Sequence, residues 1–427
     1  DSEDIEIISQ DDLEDNEEIW IDSDNLDGFD SNINFNIEII NINETGDEVT
    51  IVSQGKYNKN GKDYTKEIEF YYSFEESGRF AGITEKGEVY ILTKETNWND
   101  FSNETPILEE GEFNGDIYGG AWNQGSEILA IAGDQNGGND IFESSISDEN
   151  WNEVNFHGGG INNIRDINYY KENKRFYTIN HNGKIHEAYK ENGNWITNNI
   201  GKTDNFNGDI ESTVGNNKLV FVESNNSSNS IYTFDLSSNN NNGNNNNNET
   251  ITDLNDMKNI KDIAYGDGKF IVVGKKSSNG EGIMYLSEDG IDWNQVDFSN
   301  DQDEDIFNAI TWTGDKFIVA GDDDRVLTST DGGDSWNSIN KDDDITDNEN
   351  NLNTGIRRHF NNVAGKKDLI IASSPSPASK EHGTTLISLD GGESWTKYEN
   401  NSIPEMRKII SVGSNLIPKL ESWHQIN

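Results

Sequence analysis

Apolar residues in this chain come in short, dense runs. Phe270-Ile271-Val272-Val273, Phe317-Ile318-Val319-Ala320 and Leu369-Ile370-Ile371-Ala372 are each preceded by Lys or Asp, and the first two close on Gly. Runs of this length, rich in β-branched and aromatic residues and bounded by Gly, Asn and Asp, predict strands rather than helices. Each is preceded by a more polar segment. Asp262-Ile263-Ala264-Tyr265-Gly266 aligns by eye with Asn308-Ala309-Ile310-Thr311-Trp312 and with Asn361-Asn362-Val363-Ala364-Gly365. Each run is followed by a hairpin, a third strand, an Asp-rich turn and a fourth strand led by Trp.

The unit repeats. The first, inner strands begin near residues 68, 116, 165, 210, 261, 308, 360 and 408, in steps of 45 to 52 residues. Four short strands per period of that size predict a β-propeller of antiparallel blades. Seven complete repeats and one hybrid blade, made of 36–57 and 408–420, predict eight blades in a ring closed by both ends of the chain. Seven is the alternative, if the C-terminal strands pack outside the ring. Residues 1–32 form an acidic leader with apolar islands at Ile5 to Ile8 and Ile19 to Ile21. The propeller is assigned to 33–427. Strand addition through Ile5 to Ile8 would be a route to self-assembly.

The sharpest repeat is the turn before the fourth strand: Ser329-Thr330-Asp331-Gly332-Gly333-Asp334-Ser335-Trp336, Ser388-Leu389-Asp390-Gly391-Gly392-Glu393-Ser394-Trp395, and the shorter Ser287-Glu288-Asp289-Gly290-Ile291-Asp292-Trp293. Ser and Asp can bond the turn's own amides, Gly supplies positive φ, and Trp folds back over the hairpin. Trp98, Trp151 and Trp195 lead further fourth strands after eroded turns. Between Trp195 and Trp293 the expected copy is replaced by Asn239 to Asn248, almost pure Asn.

These octapeptides resemble the Asp-box, or BNR repeat, found in sialidases, xyloglucan-cleaving glycosidases, sortilin-type receptors and the photosystem II assembly-factor group. The last group looks closest in its run of inner strand, Gly, apolar strand, Gly and box. The resemblance covers about residues 36 to 420. It implies that Ser287, Asp289, Gly290, Trp293, Ser329, Asp331, Gly333, Trp336, Ser388, Asp390, Gly392 and Trp395 are architectural, on the side away from a ligand. Function is then sought on the loops entering the inner strands.

Charge narrows the partners. The 427 residues carry 80 acidic against 32 basic side chains, a net charge of −48. Nucleic acid and anionic membranes need a positive footprint that is missing. So acidic a surface suits a salt-rich setting, as in halophilic proteins. Ten Trp and a 10% aromatic content argue for a folded chain despite 32% apolar residues. Cysteine is absent, so there are no disulfides and no thiolate chemistry. No apolar stretch is long enough to predict a membrane span. The first residue is Asp1, as in a chain whose leader has been removed. Glycosylation triplets stand at Asn43, Asn103, Asn225, Asn226, Asn248 and Asn400. The expectation is an exported, extracellular or cell-surface glycoprotein.

Catalytic signals are thin. A sialidase would need an arginine triad for its substrate carboxylate. This chain has seven Arg. Arg357 and Arg358, in a loop entering an inner strand, could face the channel, as could His157 in His157-Gly158-Gly159-Gly160. A glycosidase needs two carboxylates at a set spacing, flanked by aromatics such as Trp122 or Tyr169. No cofactor is required. Calcium is the candidate ion, at Asp301, Asp303 and Asp305 or at Asp22, Asp24 and Asp27. The expected function is a non-enzymatic propeller that binds or assembles with a protein or glycan. A glycoside hydrolase and an assembly chaperone are the alternatives.

Overall fold

The computed structural model describes all residues outside 1–17, 22–32, 43–47, 60–61, 136–139, 146–150, 155–162, 192, 204–205, 207, 225–228, 238–248, 298–305, 340–344, 348–358, 375–383, 399–402 and 427. The chain divides into two compact units, one of residues 1–76 with 415–427 and one of 77–414.

The first unit is an antiparallel sheet of long strands. Glu18–Ile21 pairs with Ile33–Ile42, which pairs with Glu48–Lys59, which pairs with the first part of Lys62–Thr84. In Ile33–Ile42 the sequence alternates Ile33, Phe35, Ile37 and Ile39 with polar residues, the period-two pattern expected of a strand. A bulge at Ile39/Asn41 breaks the register after them.

The second unit is a seven-bladed propeller. Blade 1 has the start of Met406–Ile426 as its inner strand, then the end of Lys62–Thr84, then Val89–Leu92. A rung between Val89 and Leu108 stands in for its fourth strand. Blade 2 runs Gly115–Asn123, Ile128–Gln135, Ile141–Ser145 and Asn152–Glu153. Blade 3 runs Ile164–Tyr170, Arg175–Asn180, Lys184–Glu191 and Asn194–Lys202. Blade 4 runs Asp209–Gly215, Lys218–Ser224, Ser230–Asp235 and Glu249–Asp253. Blade 5 runs Met257–Gly266, Lys269–Lys276, Gly282–Ser287 and Asn294–Gln295. Blade 6 runs Phe307–Trp312, Phe317–Gly321, Val326–Ser329 and Asn337–Ser338. Blade 7 runs Asn362–Lys366, Leu369–Ser374, Thr384–Ser388 and Trp395–Tyr398, with Ile345–Asp347 added in parallel on its outer edge.

Eight blades are therefore a miscount. The strand near residue 68 opens no blade, and 36–57 belong to the sheet of the first unit. The ring is closed by a hybrid blade of different parts: 406–414 supplies the inner strand and 77–92 the next two. Residues 406–414 are thus part of the ring and not packed outside it. The other inner strands begin within four residues of the expected places.

Second strands explain the apolar runs. Leu129 to Ala132, Leu219 to Val222, Phe270 to Val273, Phe317 to Ala320 and Leu369 to Ala372 are all buried, because neighbouring blades cover both faces of the strand. Their fourfold run of apolar residues follows from that.

Inner strands carry a device that reading by eye missed. Tyr265 pairs with Phe270 and Trp312 with Phe317, so Asp262 matches Ala309 and not Asn308. Asn308 matches Lys261, and both stand outside the ladder. A bulge interrupts the register between Ile117 and Gly119, Ile164 and Asp166, Ile260 and Asp262, and Phe307 and Ala309. In blades 2, 5 and 6 the Gly ending the apolar run sits opposite the bulge. A Cβ on Gly133, Gly274 or Gly321 would lie 1.9, 2.6 or 2.1 Å from a carbonyl oxygen of the inner strand or of the residue leading into it. Blades 4 and 7 have Glu223 and Ser373 there, and their inner strands pair without a shift. The bulge leaves Tyr118, Arg165, Lys261 and Asn308 unpaired, which re-aims their side chains.

Candidate functional site

The inner strands line a central channel with a cavity of about 300 Å³ whose wall includes Asp166, Glu211, Asp262, Asn308, Asn362 and Lys408. By register Gly119, Asp166, Glu211, Asp262, Ala309 and Val363 occupy equivalent places in blades 2 to 7, and Asn362 stands one residue before Val363. The polar members tie blade to blade. Asp166 accepts the Ser212 amide at 2.9 Å and hydroxyl at 2.6 Å from blade 4, and the amide of Ile167 at 2.9 Å. Asp262 accepts Ile310 N–H from blade 6 at 2.8 Å and Ile263 N–H at 2.7 Å. Asn362 donates to the carbonyl of Arg407 in blade 1 at 2.8 Å. Lys408 of blade 1 donates to Glu211 of blade 4.

This belt sets the electrostatics of the channel. Burial pushes the Glu211 carboxyl up to about 8, opposed by Lys408 and reinforced by Asp262 and Asp166. Burial likewise raises Asp262 to about 6 and raises Asp166, each against the pull of Lys408. Lys408 is desolvated too, but the three carboxylates more than offset this and its pKa rises, so it remains an ammonium.

At the exit of the inner strands stands an aromatic rim. Trp122, Tyr169, Tyr265 and Trp312 hold the same register place in blades 2, 3, 5 and 6. Tyr169, Tyr265 and Trp312 each pack on the Phe that faces them in their own blade, with centroids 4.6 to 4.9 Å apart. The blade before makes room. A Cβ on Gly215 would lie 2.3 Å from the Tyr265 ring, and one on Gly266 2.2 Å from that of Trp312. Trp122 and Tyr169 line a second cavity of about 320 Å³ with Gln124, Asn168, Lys366 and Ser411. The indole N–H of Trp122 is buried without a hydrogen-bond partner.

Cations gather at the opposite, entrance end. Arg165 of blade 3 and Arg407 of blade 1 stack on the ring of Tyr118 in blade 2, their guanidinium carbons 4.2 and 4.3 Å from its centroid. Asn308 donates to Asp322 at 2.7 Å, and His359 lies 2.9 Å from the same carboxylate. Burial lowers the nearby Lys261, with Asp322 partly restoring it.

The three octapeptide turns share one geometry. Ser287, Ser329 and Ser388 donate to Asp289, Asp331 and Asp390 at 3.0, 2.9 and 2.7 Å. The same hydroxyls accept N–H from Gly290, Gly333 and Gly392 at 2.8 to 2.9 Å. Trp293, Trp336 and Trp395 donate back to those glycine carbonyls. The Ser335 hydroxyl and amide hold Asp331 down to about 2. The turns also touch the preceding blade: Lys269 meets Asp334 at 2.9 Å, Lys316 donates to Gly391 O at 2.8 Å, and Asn216 to Glu288 O at 3.0 Å. They lie on the same side as the aromatic rim.

Of the residues singled out in sequence, Trp122 is therefore at the exit of its inner strand and not on a loop entering one. Asn103 is exposed in the 3₁₀ turn Phe101–Asn103 and bonds Asp100. Arg357, Arg358, His157, Asp301, Asp303, Asp305, Asp22, Asp24, Asp27, Asn43, Asn225, Asn226, Asn248 and Asn400 lie outside the described residues, as do Ile5 to Ile8 and the Asn tract. Among the described residues no group of three or more His, Asp or Glu could hold a metal ion. Their helices include none long and apolar enough to cross a membrane. Sequence reading missed the Asp166–Glu211–Asp262–Lys408 belt and the Arg165–Tyr118–Arg407 stack. The signal was a carboxylate recurring at one place of the inner strands, Asp166, Glu211 and Asp262, which the register lines up.

The class is thus a seven-bladed β-propeller. No protein-family model matches the chain, and no curated protein is similar to it. Among solved structures it is similar to a protein from Lactobacillus plantarum at 11% identity, over 79% of this chain and 99% of that one, with a TM-score of 0.51. It is also similar to YCF48 bound to D1 peptide at 9% identity, over 75% and 94%, with a TM-score of 0.45. The WD40 propeller domain of Doa1 shares 12% identity over 70% and 86%, with a TM-score of 0.43. These likenesses are of fold.

Proposed function

We propose that this propeller is a non-enzymatic binding and assembly protein that receives a segment of a protein partner at the aromatic rim of its channel. One observation carries the reading. The rim offers a half-buried indole with an unpaired N–H, a tyrosine, amides, a hydroxyl and the Lys366 ammonium around a cavity of about 320 Å³, a mostly polar wall with aromatic side chains set into it. The carboxylates deeper in the channel are already engaged. Asp166 and Asp262 are held by main-chain donors, and Glu211 by Lys408. Such groups brace a wall rather than react. The same rim chemistry suits a glycan as a second class of ligand. The acidic surface, the resemblance of the turns to the Asp-box and the exposed Asn103 support an exported protein at the cell surface. No cofactor enters this reading.

A glycoside hydrolase is the competing reading, favoured by Glu211 alone, whose raised pKa of about 8 suits a general acid. Two measurements separate them. Trp122→Ala and Tyr169→Ala should each weaken partner or oligosaccharide binding, followed by intrinsic fluorescence, without changing the fold. Aryl-glycoside turnover by the wild type that disappears in Glu211→Gln would replace the binding account with the enzymatic one.

A further inference from the structure

We propose that Arg165, Tyr118 and Arg407 form a carboxylate receptor at the entrance of the channel, the opposite end from the aromatic rim and independent of what the rim binds. Three consecutive blades contribute one residue each. The bulges at Ile117/Gly119 and Ile164/Asp166 free Tyr118 and Arg165 from the ladder and turn them toward the mouth. One ring thus holds two guanidinium groups, each within 4.3 Å of its centroid. Stacking consumes the faces of a guanidinium and leaves its in-plane N–H groups free to donate. The two forks are thereby oriented before any ligand arrives.

Their partners are too few for the charge they carry. Arg165 makes no hydrogen bond and no ion pair among the described residues, and its Nε is buried without an acceptor. Among the described residues the Arg407 guanidinium has one carboxylate partner, Asp116 at 3.9 Å, and that exposed carboxylate also accepts from the Tyr118 hydroxyl at 3.2 Å. Among the described residues no carboxylate pairs with Arg165, and we take this guanidinium as held for an external acceptor. A planar fork with parallel donors fits a carboxylate in bidentate fashion. The net charge of −48 repels polyanions, so the ligand bears a single accessible carboxylate, on a small organic acid or at the end of a chain.

The test is calorimetric titration of the full chain with benzoate, with a tripeptide bearing a free C-terminus, with the same peptide amidated, and with inorganic phosphate. The expected result is saturable, 1:1 binding of benzoate or the free peptide. It should weaken at least tenfold in Arg165→Gln and in Arg407→Gln, and be restored only in part by Arg165→Lys, which lacks the fork. Thermal midpoints of the variants should stay near wild type. Binding of both benzoate and the free peptide assigns the site to carboxylates in general, and binding of the free peptide alone assigns it to chain termini. No saturable binding of either, equal affinity in Arg165→Gln and Arg407→Gln, equal binding of the amidated peptide, or binding of phosphate alone would each overturn the proposal. Should Arg165→Gln fail to fold, Arg407→Gln and Tyr118→Leu decide the matter alone.

Discussion

Asp166 of blade 3 holds Ser212 of blade 4 by both its amide and its hydroxyl, at 2.9 and 2.6 Å. The bond joins inner strands that share no ladder, so it fastens one blade to the next at the channel wall. Asp262 does the same for Ile310. Replacing Asp166 by Ala leaves a buried amide and hydroxyl without an acceptor. The expected loss is about 1–3 kcal/mol of stability, measured by urea unfolding. Asp116→Ala, at an exposed carboxylate, should change stability by less than about 0.5 kcal/mol.

His186 works against stability in mild acid. Burial, and then Lys184, lower its pKa from 6.5 to about 4, and its Nδ1 is buried without a partner. Between pH 6.5 and 4 the unfolded chain takes up a proton that the folded one refuses. The contribution is thus complete above pH 6.5 and is lost as pH falls toward 4, on the order of 3 kcal/mol. The difference in urea midpoint between wild type and His186→Gln should therefore shift against the wild type as pH falls from 7 to 4.

The channel carboxylates act in the opposite direction. Glu211 at about 8 and Asp262 at about 6 lie above their ordinary values, so the folded state binds the extra protons. Their contribution is complete below about pH 4 and is lost as pH rises through 4 to 8. Lys408, with its pKa raised, keeps its own contribution throughout that range. Glu211→Gln should therefore lessen the decline in urea midpoint between pH 6 and 8.

Gly333 tests the turn geometry. It has φ +92°, and a Cβ there would lie 2.5 Å from Ile271 Cδ1; Gly314, at φ +110°, has nothing within 4 Å. Both substitutions to Ala cost the strain of positive φ. Gly333→Ala adds a packing clash, so it should destabilise by roughly 1–3 kcal/mol more than Gly314→Ala in matched thermal melts.

Much of the fold could be read from the chain because each second strand is buried on both faces and so announces itself as an apolar run. The blade count failed for the same reason: strands of the first unit, such as Ile33–Ile42, use the same residues without belonging to a blade. The inner strands of blades 5 and 6 align one residue off by polarity, because Asn308, polar like Asp262, is the residue that the bulge leaves out of the ladder and matches Lys261. The Gly ending Phe270–Gly274 and Phe317–Gly321 was the trace of that bulge. The candidate site was less legible. Trp122 is visible as an aromatic, but its place at the strand exit depends on the register. Lys408 and Glu211 are 197 residues apart in sequence, and only ring closure brings them together.

The binding account is tested most directly by photo-crosslinking in the protein's native setting. A photoreactive side chain at Gln124, on the wall of the rim cavity, is compared with one at Leu389, which is 54% exposed in an octapeptide turn. The account predicts adducts of defined mass from position 124, competed away by excess unlabelled protein, and none from 389. Adducts from 389 alone would contradict it.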